Sequence, residues 1–355
     1  MRTSLLSRPR RNCAANSCIL KPAQGSFPGF SISQPYRLSC CLSLPRAGKC
    51  AYGQLVAQQK PTSLAFIALL VGNVALATGP FLVRNSGVGP VAAGFWRLAL
   101  ALPFLWAIAW MFRQPVQWPK RTVTLAIAGA AFFFAADLAA WHAGILLTKL
   151  GNATLFGNIS SFFFAAWGLW LVRKWPSVLQ AAALTLAAAG CGLLMWGSAE
   201  LSAANLRGDL LAVLAGLLYT GYLILVERTR GGLQPMPLLF IASLFGAAML
   251  LPAALAAGEQ ILPDNWTALV ALAVCSQVIG QGLLVYALGH LPPLVIGIAM
   301  LTQPALSALL GWLYYGEAFT PRDWSGAAMI VVALVLVRMR EGSAPRLRQP
   351  VVAPN

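Results

Sequence analysis

The chain has 355 residues, 59% of them hydrophobic and only 10% charged, with a formal net charge of +16. A soluble domain carries about 25% charged residues, so the composition excludes an ordinary water-soluble fold and points to a polytopic protein of the lipid bilayer. The positive charge sits in a basic N-terminal stretch and in short breaks between apolar runs, the distribution of topology signals, which argues against nucleic acid as a partner.

Residues 1–60 contain nine Lys/Arg, no acidic residue, many serines and no apolar run long enough for a signal peptide. By composition they fit an organellar transit peptide, but with no periodicity and no part in the repeat they fit better a disordered tail, or an extension read from a start placed too far upstream. Either way they are set outside the fold. Five of the seven cysteines (Cys13, Cys18, Cys40, Cys41 and Cys50) fall there with no zinc-ligand spacing, and Cys191 and Cys275 stand singly in apolar runs. The cysteines support no metal or disulfide claim, and no cofactor is expected.

From Ser63 onward, apolar runs alternate with short polar breaks. Spans are predicted at about 63–83, 91–112, 123–147, 152–172, 178–196, 210–226, 237–257, 266–288, 294–315 and 324–339. Each is predicted to be a helix, because lipid offers the backbone no partners. The last is the weakest, because its uninterrupted apolar core is short for a span. With both termini inside, the inner segments hold Arg113, Lys120, Arg121, Arg173, Lys174, Arg228, Arg230, Arg338, Arg340, Arg346 and Arg348. The outer ones hold only Arg84, Lys149, Arg207 and Arg322. That bias predicts cytoplasmic termini.

The halves can be superposed as sequences. GNVALATGPFLVR (72–84) lies over GLLYTGYLILVER (216–228) at an offset of 144, and SSFFFAAWGLWLVRK (160–174) over QPALSALLGWLYYGE (303–317) at 143. The repeat therefore holds five spans, and an odd number forces the second copy in upside down. The expected fold class is all-α, with ten transmembrane helices as two inverted five-helix repeats (62–197 and 208–340) and a cytoplasmic tail (341–355). Inverted repeats are a signature of secondary transporters, with the substrate site near the midplane between the copies.

WRLALALPFL at the second span, GNATLFGNISSFFFAAWGLWL at the fourth, and QPALSALLGWLYYGEAFTPRDWSG at the ninth and tenth resemble the blocks of the EamA-type branch of the drug/metabolite transporter superfamily. The resemblance covers about residues 62–340. It implies a ten-helix permease, in bacteria usually of the inner membrane, often exporting amino acids or related metabolites. The second copy keeps Pro304 and the Gly316-Glu317 pair typical of the family. The first has Ser161 and Arg173-Lys174 in their places.

Within the spans, away from their ends, only Arg97 and Asp137 are charged. At ~1.5 Å per residue they lie about 10 and 15 Å from the outer end. A centre-placed charge costs about 2.5–3.5 kcal/mol, so each is expected to face the bundle interior or a watery cavity. Three readings stay open: an Arg97–Asp137 ion pair locking two helices, a cavity site for a charged or zwitterionic substrate, or Arg97 snorkelling to the surface. Asp137 is the one buried acid through which ion or proton coupling could run. His142 is expected at the outer boundary as an interfacial residue.

Softer candidates for the cavity lining form polar stripes: Thr154, Asn158 and Ser161; Gln277 and Gln281; Tyr219 and Tyr222, with Tyr222 preferred. Helix–helix hydrogen bonding is the alternative role for each. Trp141, one turn from Asp137, offers an aromatic wall or a belt residue, and Pro304 after Gln303 predicts a bend that lines the cavity. The candidate substrate-binding set is therefore Arg97, Asp137, Trp141, Asn158, Tyr222, Gln277, Gln281 and Gln303. The leading function is a secondary-active permease exporting a small polar molecule, as monomer or homodimer. The alternatives are a channel or lipid flippase on the same scaffold, or an organellar carrier if residues 1–60 are a transit peptide. An intramembrane enzyme is disfavoured: two histidines far apart in the chain and one buried acid build neither a metal site nor a nucleophile–base pair.

Overall fold

A chain of apolar runs can satisfy its backbone N–H and C=O groups in lipid by closing them into helices. In the computed structural model every element among the described residues is helical. The structure describes residues 63–148, 150–172, 175–196, 205–230, 232–263, 266–315 and 320–341, all within the unit Leu55–Asn355. The expectations for residues 1–60, Lys149, Arg173, Lys174, Gly316, Glu317 and the chain beyond 341 lie outside the described residues.

In chain order, α1 (Ser63–Ala77) and α2 (Gly79–Arg84) meet at Thr78, and α3 (Pro90–Ala99) and α4 (Ala101–Met111) at Leu100. α5 (Arg121–Leu147) is unbroken. α6 (Leu150–Gly157) and α7 (Ile159–Val172) are interrupted at Asn158, and α8 (Val178–Trp196) follows. Beyond it come α9 (Leu206–Arg230) and α10 (Pro235–Ala256). Next, α11 (Thr267–Ala271) runs into a π-helical segment, π1 (Leu272–Gln281), and on into α12 (Gly282–Leu288). α13 (Pro293–Met300) and α14 (Thr302–Tyr315) are separated by Leu301, and α15 (Pro321–Glu341) ends the described chain.

Helix therefore occupies each predicted stretch, and the stretch expected to be weakest forms a helix of 21 residues. Among the described residues, six rods are long and apolar enough to cross a membrane: Ser63–Arg84, Pro90–Met111, Arg121–Leu147, Leu206–Arg230, Pro235–Ala256 and Thr267–Leu288. Their surfaces suit lipid. Along α1, Leu64, Ile67, Val71 and Val74 are exposed while Ala65, Leu69, Gly72 and Asn73 are buried. These outward side chains are large and apolar, while the inward face joins Leu69 to small and polar residues of the kind through which helices associate in lipid.

The closest packing joins α5 to α9, α8 to α15, α7 to α13, α3 to α10, and α1 to π1 and α12. At the α8–α15 crossing the backbones touch: a Cβ on Gly190 would lie 2.7 Å from the carbonyl of Gly326, and one on Gly326 2.7 Å from that of Gly190. Two helix starts are capped from elsewhere. Glu259, just after α10, accepts the N–H groups of Val91 (3.2 Å) and Ala92 (2.8 Å) at the head of α3. Trp96 Nε1 donates to the carbonyl of Ile261 at 2.7 Å. Gln114, just after α4, accepts the N–H of Met236 (3.3 Å) at the head of α10.

The bend predicted at Pro304 is instead a break at Leu301, three residues earlier. Pro304 then falls in the first turn of α14, where the N–H it lacks is one of the donors a helix start leaves without a partner in its own helix. The carbonyl of Ala299 accepts Asn73 Nδ2 from α1 at 2.7 Å and Thr302 Oγ1 at 2.7 Å.

Candidate functional site

The interrupted and π-wound segments surround a cavity that opens at one end. Of the predicted residues, Arg97, Asp137, Trp141, Asn158, Gln281 and Gln303 line it. Thr154, Ser160, Tyr219, Ser276 and Ser307 join them.

Arg97 is 3% exposed, so it does not snorkel. Its Nε donates to Gln277 Oε1 at 3.2 Å, and its Cζ lies 5.6 Å from the centroid of the Phe134 ring. Asp137, one turn beyond Phe134 on α5, is 8% exposed. Among the described residues no ion pair joins Arg97 to Asp137, and no hydrogen bond reaches the carboxylate of Asp137 or the terminal nitrogens of Arg97. The helix-locking pair is therefore not formed. The two charges share a wall without touching, although unit charges ~4 Å apart attract by roughly 4 kcal/mol at an effective dielectric of ~20.

Two predicted lining residues stand behind the wall. Gln277 is fully buried and off the lining; it takes Arg97 on its Oε1 and donates from Nε2 to Ser243 Oγ at 3.0 Å. The cause is the winding of π1. Hydrogen bonds from i to i+5 stack residues five apart, so Ser276 and Gln281 share the cavity face and Gln277 turns toward Arg97. Tyr222 is also fully buried and off the lining, stacked on Phe134 at 4.5 Å and on Tyr219 at 5.6 Å. Its hydroxyl has no hydrogen-bond partner among the described residues. Tyr219 takes its place at the cavity, accepting Gln281 Nε2 on its hydroxyl at 2.9 Å.

The stripe on the fourth stretch is displaced in the same way. Asn158 Nδ2 closes the end of α6 by donating to the carbonyl of Thr154 at 2.7 Å. Beyond this break the helix restarts one position out of phase, so Ser160, not Ser161, lines the cavity. His142 is not interfacial: it is fully buried and bonds the carbonyl of Pro90 through Nδ1 at 3.0 Å.

Ser160, Ser243, Ser276 and Ser307 escaped the sequence reading, and so did Asn73. Asn73, fully buried on α1, donates from Nδ2 to the Ala299 carbonyl and to Thr302 Oγ1 (3.1 Å), and accepts Gln303 Nε2 on Oδ1 at 3.2 Å. It ties α1 to the Leu301 break and anchors Gln303 at the cavity wall. As the one amide in the apolar run 63–77, it carried the usual signal of an intramembrane polar residue, a partner on another helix.

Comparison with known proteins agrees with this architecture. The chain is 27% identical over 274 residues to an uncharacterized transporter of Archaeoglobus fulgidus, covering 77% of this chain and 96% of that one. It is 25% identical over 286 residues to the threonine/homoserine exporter RhtA of Escherichia coli K12, with coverages of 78% and 92%. A solved crystal structure superposes with a TM-score of 0.65 at 16% identity, covering 81% of this chain and all of the other, which speaks to fold alone. Residues 206–339 match the EamA-like transporter family. The second half of the chain thus carries a match to that transporter family, and most of its length is similar to proteins named as transporters.

Proposed function

We propose that the protein is a secondary transporter exporting a small zwitterionic metabolite of the amino-acid class by alternating access between two inverted five-helix halves. The observation that carries this reading is the pair of opposite charges, Arg97 and Asp137, on one cavity wall without a bond between them. The terminal nitrogens of Arg97 form a fork that matches a carboxylate, and Asp137 supplies the counter-charge for an ammonium group. Thr154, Asn158, Ser276, Gln281 and Gln303 add hydroxyls and amides for polar substituents, while Trp141 and Tyr219 form an aromatic wall. The name of the Escherichia coli relative, a threonine/homoserine exporter, supports the substrate class.

Packing supports the inverted repeat. Exchanging the first five predicted spans for the second five turns the α5–α9 contact into the contact of the α11–π1–α12 rod with α1, and both occur. The α8–α15, α7–α13 and α3–α10 contacts map onto themselves. The helix breaks at Asn158 and Leu301 fall at equivalent places in the two copies, in register with the offset read in the sequence. In this reading the six long rods are joined in the membrane by α6–α7, α8, α13–α14 and α15. The termini are cytoplasmic and the membrane is the bacterial inner membrane. Most lining positions then fall at mid-depth or in the outer half. Toward the inner end Arg230 ties α9 to α12 and to the following loop, donating from Nε to the carbonyl of Val285 at 2.9 Å and from Nη1 to that of Leu233.

Proteoliposomes containing the full chain test this. Saturable counterflow of radiolabelled L-threonine is expected. Non-saturating flux that follows voltage would overturn the carrier reading in favour of a channel, and termini tagged on opposite faces would overturn the ten-span topology.

A further inference from the structure

We infer that Gln277 and Ser243 are positioning residues for Arg97: they hold its guanidinium at the cavity wall, off Asp137, so that its terminal nitrogens stay available to a substrate carboxylate. This role rests on the reading of the cavity as a substrate site, and it is what keeps that site open.

Arginine has donors only, so the Gln277 amide must present Oε1 to Arg97 Nε, at 3.2 Å. Its Nε2 is then left for another acceptor, and Ser243 Oγ takes it at 3.0 Å. Gln277 and Ser243 are both fully buried, on π1 and α10, so the amide has no water to turn to. The Phe134 ring lies 5.6 Å below the guanidinium. One edge and one face of Arg97 are thus held, and the fork of terminal nitrogens is left at the cavity.

Asp137 lines the same cavity and would draw a loose guanidinium to itself, closing the charge pair a zwitterion needs apart. A neutral amide is suited to prevent this. It competes for the Nε edge without cancelling the charge, as a carboxylate there would. Ser243 acts one step back by fixing which end of the amide faces Arg97.

Gln277→Met keeps the side-chain length and removes both bonds, and Ser243→Ala removes only the second. In L-threonine counterflow, Gln277→Met is expected to raise the half-saturation concentration about tenfold with the maximal rate within about twofold. Ser243→Ala should raise it about threefold and carries the test alone if Gln277→Met does not accumulate. In an Arg97→Lys background, which has no Nε edge to hold, Gln277→Met should add less than about twofold. Unchanged half-saturation, or factors that multiply across that background, would overturn the inference.

A second readout needs no transport. In protein carrying 15N-arginine, the Nε–H resonance of Arg97, assigned by its loss in Arg97→Lys, should be protected from exchange, and Gln277→Met should abolish that protection. If wild type carries no threonine yet shows this behaviour, the transport reading falls and the positioning stands. A resonance indifferent to Gln277→Met overturns the positioning.

Discussion

Glu259 and Gln114 make the same cap at two helix starts: each follows the end of one rod and closes the head of the other, Glu259 at Val91 on α3 and Gln114 at Met236 on α10. The two capping residues are as far apart in the chain as the two N–H groups they close. That spacing matches the sequence repeat to within two positions, although neither capping residue belongs to the matched segments. The caps differ in strength: a carboxylate takes two N–H groups at α3, and an amide takes one at α10.

Gly89 is where this arrangement is most exposed to test. A Cβ there would run into the Glu259 side chain. Gly89→Ala should therefore cost as much as losing the cap, about 0.5–2 kcal/mol, and Glu259→Ala a similar amount. The two together should cost little more than either alone. Thermal unfolding of the detergent-solubilised protein, followed by tryptophan fluorescence, reads all three.

Arg97 and Asp137 allow a sharper discrimination. If they served as a lock, exchanging them would restore what each single change destroys. Because they do not bond, the Arg97→Asp/Asp137→Arg swap is expected to remain inactive in counterflow, as inactive as either single variant, while still accumulating in the membrane. Recovery of transport in the swap would return the pair to a structural role.

Tyr219 and Tyr222 should respond oppositely to loss of the hydroxyl. Tyr222 has a buried hydroxyl without a partner among the described residues, so Tyr222→Phe should be neutral or stabilising by up to about 1 kcal/mol. Tyr219→Phe leaves the amide of Gln281 without its acceptor and should cost about 1–3 kcal/mol. Paired thermal-unfolding curves check the sign.

Asn73→Leu removes three hydrogen bonds at the Leu301 break. A loss of about 2–4 kcal/mol is expected, the sum of a few unmade buried bonds. Asn73→Asp, which keeps an acceptor for Gln303 but loses the donors to Ala299 and Thr302, should not recover it. Denaturant unfolding of purified protein measures the loss.

The helices were legible in the sequence because hydropathy and turn residues act locally. Arg97 and Asp137 were legible because a charge in an apolar run must turn toward protein or water. What stayed concealed was phase. Ideal α-helical spacing put Ser161 on the face with Asn158 and paired Gln277 with Gln281. The break at Asn158 and the winding of π1 rotate these faces, and neither departure has a local signal such as proline at the site. Asn73 was hidden because its partners come from the far end of the chain, on α13 and α14, so only the folded arrangement reveals that it closes the Leu301 break.

The grip on Arg97 has a thermodynamic consequence. Its side chain carries about 2 kcal/mol of rotamer entropy, and protein groups alone already hold it. That freedom is surrendered when the chain folds and not when a ligand arrives, so docking a carboxylate there requires no reordering of the arginine. Affinity at such a rigid anchor varies chiefly through the lifetime of the complex and much less through the speed of encounter.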